Sequence, residues 1–434
     1  MSFLDTMRRS IIIGLDGVPY SLVKDLSVKG VMPNIGELAK DGVFRSIEST
    51  LPDISSVAWS SIITGLNPGE HGIYGFMDIV PGTYRIYFPN FTNLCGKPFW
   101  NYREGTRSII VNVPSTYPAM RLNGILISGF VALELERAVY PPSLVPDLKR
   151  LKYRLDVDSE IGHKSLELFI NDLHRTLDAR IETYRYLWDK EDWDCFMLVF
   201  TGTDRIAHFL WNAYEDSASL YHNTFLQYFH TIDQIIGEIS GRTRPQDSLI
   251  LLSDHGFERL KKTVYINYYL RKAGFLKLNK IPASSYNDIN QGTMAFALEP
   301  SRIYLNTVGK FPRGSVKENE KESILRDLTN LFYALEVEGE RIVDRVYRKE
   351  EIYKGPFFDQ APDLVLLPNS GFDLKARLQA EICMESTIFT GKHTKDNAFL
   401  LVKSPQDFSV PQNPSVVDIF GILKSVESPD LLYQ

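Results

Sequence analysis

Short apolar runs alternate with amphipathic stretches along most of the chain. The runs are Ser10–Leu15, Ser108–Val113, Cys195–Phe200, Ser248–Leu252, Leu364–Leu367 and Phe399–Val402. Most are apolar at consecutive positions rather than at every second one, as in strands covered by helices on each side. Helical signals lie between them. Met32-Pro33-Asn34 opens a segment that closes at Asp41-Gly42, with Pro inside the start and Gly past the end. From Leu220 to Ile239, apolar residues recur at Tyr221, Phe225, Phe229, Ile232, Ile236 and Ile239, close to a 3.6-residue period. Lys317 to Leu335 reads in the same way. This alternation predicts an α/β fold with a largely parallel central sheet and helices on both faces. Residues 1–434 read as a single domain, with a cap-like insertion over approximately 257–392. The Ser- and Asn-rich stretch Ala283–Gly292 predicts an exposed loop.

Composition narrows the function classes. Hydrophobic residues make up 44% and charged residues 24% of the chain, the balance of a soluble globular protein. Net charge is −6, and no basic stripe interleaved with aromatics is present, which argues against a nucleic-acid-binding surface. A small phosphorylated substrate stays compatible, because bound metal ions can supply local positive charge. Cys95, Cys195 and Cys383 are widely spaced and form no Cys-x-x-Cys pair, so neither a disulfide framework nor a cysteine zinc site is expected. No apolar run is long enough to anchor the chain in a membrane. The first ten residues lack the features of a signal peptide, and a cytoplasmic protein is expected.

Three segments share one theme. The run Ile11-Ile12-Ile13-Gly14-Leu15 ends in Asp16-Gly17, and open α/β sheets bind ligands at the carboxyl ends of their strands. The run Cys195–Phe200 leads into Thr201-Gly202-Thr203-Asp204-Arg205-Ile206-Ala207-His208, where Asp204 and His208 lie four apart. On a helix they share a face and can share a cation. The run Ser248–Leu252 ends in Ser253-Asp254-His255-Gly256. Each segment taken singly is also an ordinary polar turn or helix start; three in one chain point to a metal site. A nucleophile candidate lies in Ile54-Ser55-Ser56-Val57, ahead of the short helix stopped by Gly65. A helix N-terminus favours an alkoxide and a bound phosphate, although Ser there also serves as a plain N-cap.

With these segments, and with Thr64-Gly65-Leu66-Asn67-Pro68-Gly69-Glu70-His71-Gly72-Ile73 and Gly391-Lys392-His393, the chain resembles the alkaline phosphatase superfamily. Within it, the chain resembles the type I phosphodiesterase/nucleotide pyrophosphatase branch, in particular its predicted phosphohydrolase and phosphomutase group. The matching motifs run in the family's order from Asp16 to His393. The resemblance implies two metal sites, Asp204, His208 and His393 holding one ion and Asp16, Asp254 and His255 the other. It also places the nucleophile on Ser55, whose hydroxyl would reach the second ion, with Ser56 as the alternative register. His71 is expected to be structural.

Two departures qualify what is inherited. Ala58 stands three residues after Ser55, where nucleotide pyrophosphatases carry a phosphate-binding Asn, so a nucleotide diester is in doubt as the substrate. Ser55 is followed by Ser56-Val57-Ala58-Trp59 and not by x-Pro-x-Arg, which speaks against a sulfatase. The expected activity is metal-dependent hydrolysis of a phosphate ester, a diester in preference, through a phospho-serine intermediate. A monoesterase or phosphomutase shares every ligand, and a non-catalytic metal-binding protein is a further alternative. Two divalent transition metals are expected as cofactors. Mixed carboxylate and imidazole ligands suit Zn²⁺, with Mn²⁺ or Fe²⁺ tolerated. Arg205 and Lys392, next to ligands, could contact phosphate, and Trp59 or Phe76 could offer apolar surface to a diester's second substituent.

Overall fold

The computed structural model describes residues 8–380, 384–385 and 388–427; Cys383 lies outside them. Two compact units make up the chain. The first is assembled from the segment ending at Leu66, from Asn90–Phe257, and from the segment beginning at Phe389; the second joins Asn67–Pro89 to Glu258–Ile388.

The first unit is built on eight strands: β1 (Ser10–Leu15), β2 (Val43–Ile47), β3 (Ser108–Val113), β4 (Gly124–Ser128), β5 (Val139–Tyr140), β6 (Cys195–Phe200), β7 (Ser248–Leu252) and β8 (Ala398–Lys403). They lie in the order β2-β8-β7-β1-β6-β3-β4-β5. The five consecutive strands from β7 to β4 are parallel, whereas β2, β8 and β5 pair antiparallel. Ile13 sits opposite Leu198 on one side and Leu251 on the other. The expected largely parallel sheet is therefore present.

Helices cover both faces, which is why these strands lack polar alternation. Ile11, Ile13, Phe196, Leu198, Leu249 and Leu251 point into one core with α1 (Pro33–Asp41), α3 (Leu166–Lys190) and α5 (His222–Arg242). Ile12, Met197, Val199, Ile250 and Leu252 point into the other, with α2 (Ser55–Thr64) and α6 (Ile419–Glu427). Burying each such aliphatic side chain contributes about 1.5–3 kcal/mol. The Met32-Pro33-Asn34 signal opens α1 as expected, with a cap from outside the helix. The buried Asp233 carboxylate on α5 accepts from the backbone N–H groups of Asn34 at 3.0 Å and Ile35 at 2.9 Å. The 25-residue helix α3 buries Phe169, Leu173, Leu177 and Tyr184 along one face.

The second unit holds a four-stranded antiparallel sheet, ordered Ala295–Leu298, Arg302–Leu305, Leu364–Pro368, Val343–Arg348. The run at Leu364 is a strand, but it belongs here and not to the central sheet. An apolar run marks burial without naming the partner that buries it. Helix Lys321–Tyr333 packs Leu325, Leu328 and Phe332 into this unit's core. The stretch Ala283–Gly292 is less exposed than expected, because Ala283, Tyr286 and Ile289 turn inward at every third position. Among the described residues, no helix is long and apolar enough to cross a membrane.

Candidate metal centre

Topology assembles the candidate site. Strands β7, β1 and β6 are adjacent and parallel, so the residues leaving their carboxyl ends meet at one edge. Asp16 follows β1, Asp254 and His255 follow β7, and Asp204 and His208 lie on α4 (Gly202–Glu215) just beyond β6. His393 lies on the short strand Gly391–Thr394, and β8 then runs back antiparallel to β7, which puts His393 at the same edge. Ser55 begins α2. All seven residues belong to the first unit.

The ligand atoms converge. His393 Nε2 lies 3.1 Å from Asp204 Oδ1 and 3.0 Å from His208 Nε2, and His208 Nε2 is 3.5 Å from Asp204 Oδ1. His255 Nε2 lies 3.3 Å from Asp254 Oδ2 and 3.7 Å from Asp16 Oδ1. Ser55 Oγ is 3.2 Å from both Asp16 Oδ1 and His255 Nε2. Asp204, His255 and His393 form one group of mutually close ligand atoms, and Asp16, Asp254 and His255 form another. His255 thus stands between the two triads that the resemblance implies.

The imidazole tautomers decide what these nitrogens can do. Nδ1 of His208 lies 3.1 Å from the Gly391 carbonyl, that of His255 3.1 Å from the Gly256 carbonyl, and that of His393 3.1 Å from the Asp53 carbonyl. A carbonyl oxygen only accepts, so each Nδ1 carries a proton and each Nε2 is turned into the cluster. Burial, followed by the neighbouring His255, pulls the His393 pKa down to about 3, which keeps that ring neutral. Phe257 lies against the rings of His208, His255 and His393.

The carboxylates are crowded and dry. Burial first, then the charges of Asp254 and Asp204, push the Asp16 carboxyl well above its ordinary value. Burial is also the largest influence on Asp254, which is raised. For Asp204, burial acts upward, but His208, His393 and Arg205 outweigh it and hold the group low. Asp254 Oδ2 is buried and accepts no hydrogen bond, while its Oδ1 accepts from Gly17 N–H at 3.0 Å. Gly17 has φ of 67°, and a Cβ there would come within 2.9 Å of Phe257 and 3.1 Å of Asp204 Oδ1. Two Nε2 atoms meeting at 3.0 Å beside three buried carboxylates form an arrangement that a cation among them would satisfy. A mixed carboxylate and imidazole set of this kind fits divalent transition-metal ions.

Several sequence expectations can now be placed. Ser55 does not act as an N-cap, for the cap position is Ile54 and makes no side-chain bond. Its hydroxyl instead donates to Asp16 Oδ1, whereas the Ser56 hydroxyl is buried and makes no hydrogen bond. Trp59 offers no surface to a substrate. It is fully buried, its ring fills the space beside Gly14, and its Nε1–H donates to Asp16 Oδ2 at 3.2 Å. Arg205 turns away from solvent to Asp156 at 2.7 Å and Asp204 at 3.0 Å. Lys392 is buried. His71 lies in the second unit, outside the cluster. The sequence reading missed Asp156, the Trp59 indole contact and the three carbonyl partners; the last have no residue-type signal at all.

Comparison with known proteins identifies the family and the fold. A family model described as type I phosphodiesterase / nucleotide pyrophosphatase matches residues 10–396. No curated protein matches the chain by sequence. Among solved structures, phosphonoacetate hydrolase from Sinorhizobium meliloti in complex with phosphonoformate is similar at 16% identity and a TM-score of 0.63, over 97% of this chain and 96% of that one. Murine ectonucleotide pyrophosphatase/phosphodiesterase 5 is similar at 14% identity and a TM-score of 0.54, over 96% and 94% of the two chains.

Proposed function

The chain belongs to the type I phosphodiesterase/nucleotide pyrophosphatase family, and from that premise we propose a metal-dependent phosphohydrolase that cleaves a phosphate ester through a phospho-serine on Ser55. The observation that carries this reading is the convergence of three Nε2 atoms and three buried carboxylates beside the Ser55 hydroxyl. Asp204, His208 and His393 would hold one divalent ion, and Asp16, Asp254, His255 and Ser55 Oγ a second. Zn²⁺ suits these ligands best, with Mn²⁺ or Fe²⁺ as alternates. When bound, such ions acidify a hydroxyl and oppose charge on the departing oxygen.

The chain's own residues set up the rest. Asp16 accepts the Ser55 hydrogen bond and fixes the direction of Oγ, while Trp59 and Thr203 hold Asp16 through its other carboxylate oxygen and its carbonyl. Attack by Ser55 Oγ forms the serine O–P bond as the bond from phosphorus to the leaving oxygen breaks. Water then cleaves the phospho-serine and restores the hydroxyl.

A diester is the preferred substrate in this reading. A monoester dianion calls for an extra cation, and Arg205 is already engaged by Asp156 and Asp204. Two measurements test the proposal. Protein reconstituted with zinc or manganese should retain two ions per chain and His393→Ala one; an ion-free wild type would refute the metal reading. The kcat/KM for bis-p-nitrophenyl phosphate should exceed that for p-nitrophenyl phosphate, and the reverse order would make the enzyme a monoesterase.

A further inference from the structure

Asp204 is held from behind. Its Oδ1 faces His393 and His208, and its Oδ2 accepts from Arg205 Nη1 at 3.0 Å. Arg205 is in turn gripped by Asp156, whose Oδ2 accepts from Nη2 at 2.7 Å and from Nε at 3.3 Å. The Phe130 ring lies 4.3 Å from the guanidinium carbon. Asp156 Oδ1 accepts from the Thr201 hydroxyl at 3.3 Å, and Thr201 Oγ1 accepts from Asn112 Nδ2 at 3.3 Å. Asn112 Nδ2 also reaches the Val199 carbonyl on β6 at 2.8 Å. The chain of bonds therefore runs from the central sheet to the carboxylate at the site.

Two physical consequences follow. A guanidinium fork fixed at both ends fixes the carboxylate it touches, leaving Asp204 a single oxygen to present. Charge balance matters as well. Arg205 facing Asp204 alone would cancel the charge that Asp204 offers a cation. Asp156 supplies the opposing charge, so the Arg205–Asp156 pair is neutral and Asp204 keeps its own. Arg205 bonds directly to Asp204, whereas on Asp16 it acts through its charge and not through a hydrogen bond.

We propose that Arg205 and Asp156 form a positioning pair that sets the orientation and effective charge of Asp204, and so tunes the cation site that Asp204 serves more strongly than the other. This rests on the two-ion reading above. The test is competitive titration of the chelated full-length protein with Co²⁺, followed by visible absorption, alongside the melting temperature and the separate kcat and KM values. Asp156→Asn should weaken one of two Co²⁺ steps by tenfold or more, shift the other clearly less, and lower kcat more than KM changes. Arg205→Lys, which keeps charge but loses the fork, should not restore wild-type binding. Asp156→Glu should recover part of it. Two unchanged Co²⁺ steps in Asp156→Asn would overturn the proposal. So would equal weakening of both steps with a lowered melting temperature, since that pattern marks a structural role. A wild type that binds no Co²⁺ would instead refute the metal reading itself.

Discussion

Both units bury charge, and they do so in opposite ways. In the second unit the fully buried Arg302 guanidinium faces Asp78 at 3.6 Å. It also donates to the carbonyls of Met77 and Glu299 and, at 3.3 Å, to the Tyr304 hydroxyl. The protein closes that cluster with its own acceptors. In the first unit Asp16, Asp204 and Asp254 are buried together, and Arg205, the cation touching Asp204, is already opposed by Asp156. Histidines repeat the contrast. His71 in the second unit accepts from the Ile73 N–H through Nδ1 at 3.1 Å, whereas the three site histidines donate through Nδ1 and turn Nε2 inward. Buried charge with complete protein partners is structural, whereas the first unit's converging atoms are the candidate ligand set of the proposed metal centre.

The comparison can be broken most decisively at Ser55. Ser55→Ala should lower turnover by roughly three orders of magnitude or more. Melting temperature and ion content should stay unchanged, and Ser56→Ala should retain most activity. A reversed ranking of the two variants would shift the nucleophile by one residue.

Next in size is a paired stability measurement. Asp78→Asn leaves Arg302 buried without its counter-charge and should cost about 3–5 kcal/mol. Asp254→Asn in chelator-treated protein relieves repulsion among carboxylates and should cost much less, or stabilise. Urea unfolding of both variants decides it, and equal losses would erase the distinction between the units.

The smallest effect is a pH slope. Burial lowers the His71 pKa to about 3 from its ordinary 6.5. Between those values the unfolded chain binds the additional proton, so stability falls as pH falls through that window. His71→Gln should flatten the slope of melting temperature against pH there, and an unaltered slope would show that His71 is not the group responsible.

Much was legible in the sequence because it is written locally. Strands β1, β3, β6 and β7 have the bounds expected from their apolar runs, since a strand buried on both faces must be apolar at consecutive positions. Asp16, Asp204, His208, Asp254, His255 and His393 stood out by residue type at strand ends and motif positions, and the structure brings all six together with Ser55. What sequence could not state is who meets whom. The Leu364 run looked like the central strands and joined another sheet, and Asn67–Pro89 joined the second unit from far along the chain. Trp59 looked like substrate surface and lies under the site, bonded to Asp16. Asp156 carried no signal, being 49 residues from the Arg205 it grips. The histidine tautomers rest on the carbonyls of Asp53, Gly256 and Gly391, and every residue has a carbonyl. Residue type and periodicity are properties of neighbours along the chain, whereas ion pairs, tautomers and sheet partners depend on distances that exist only after folding.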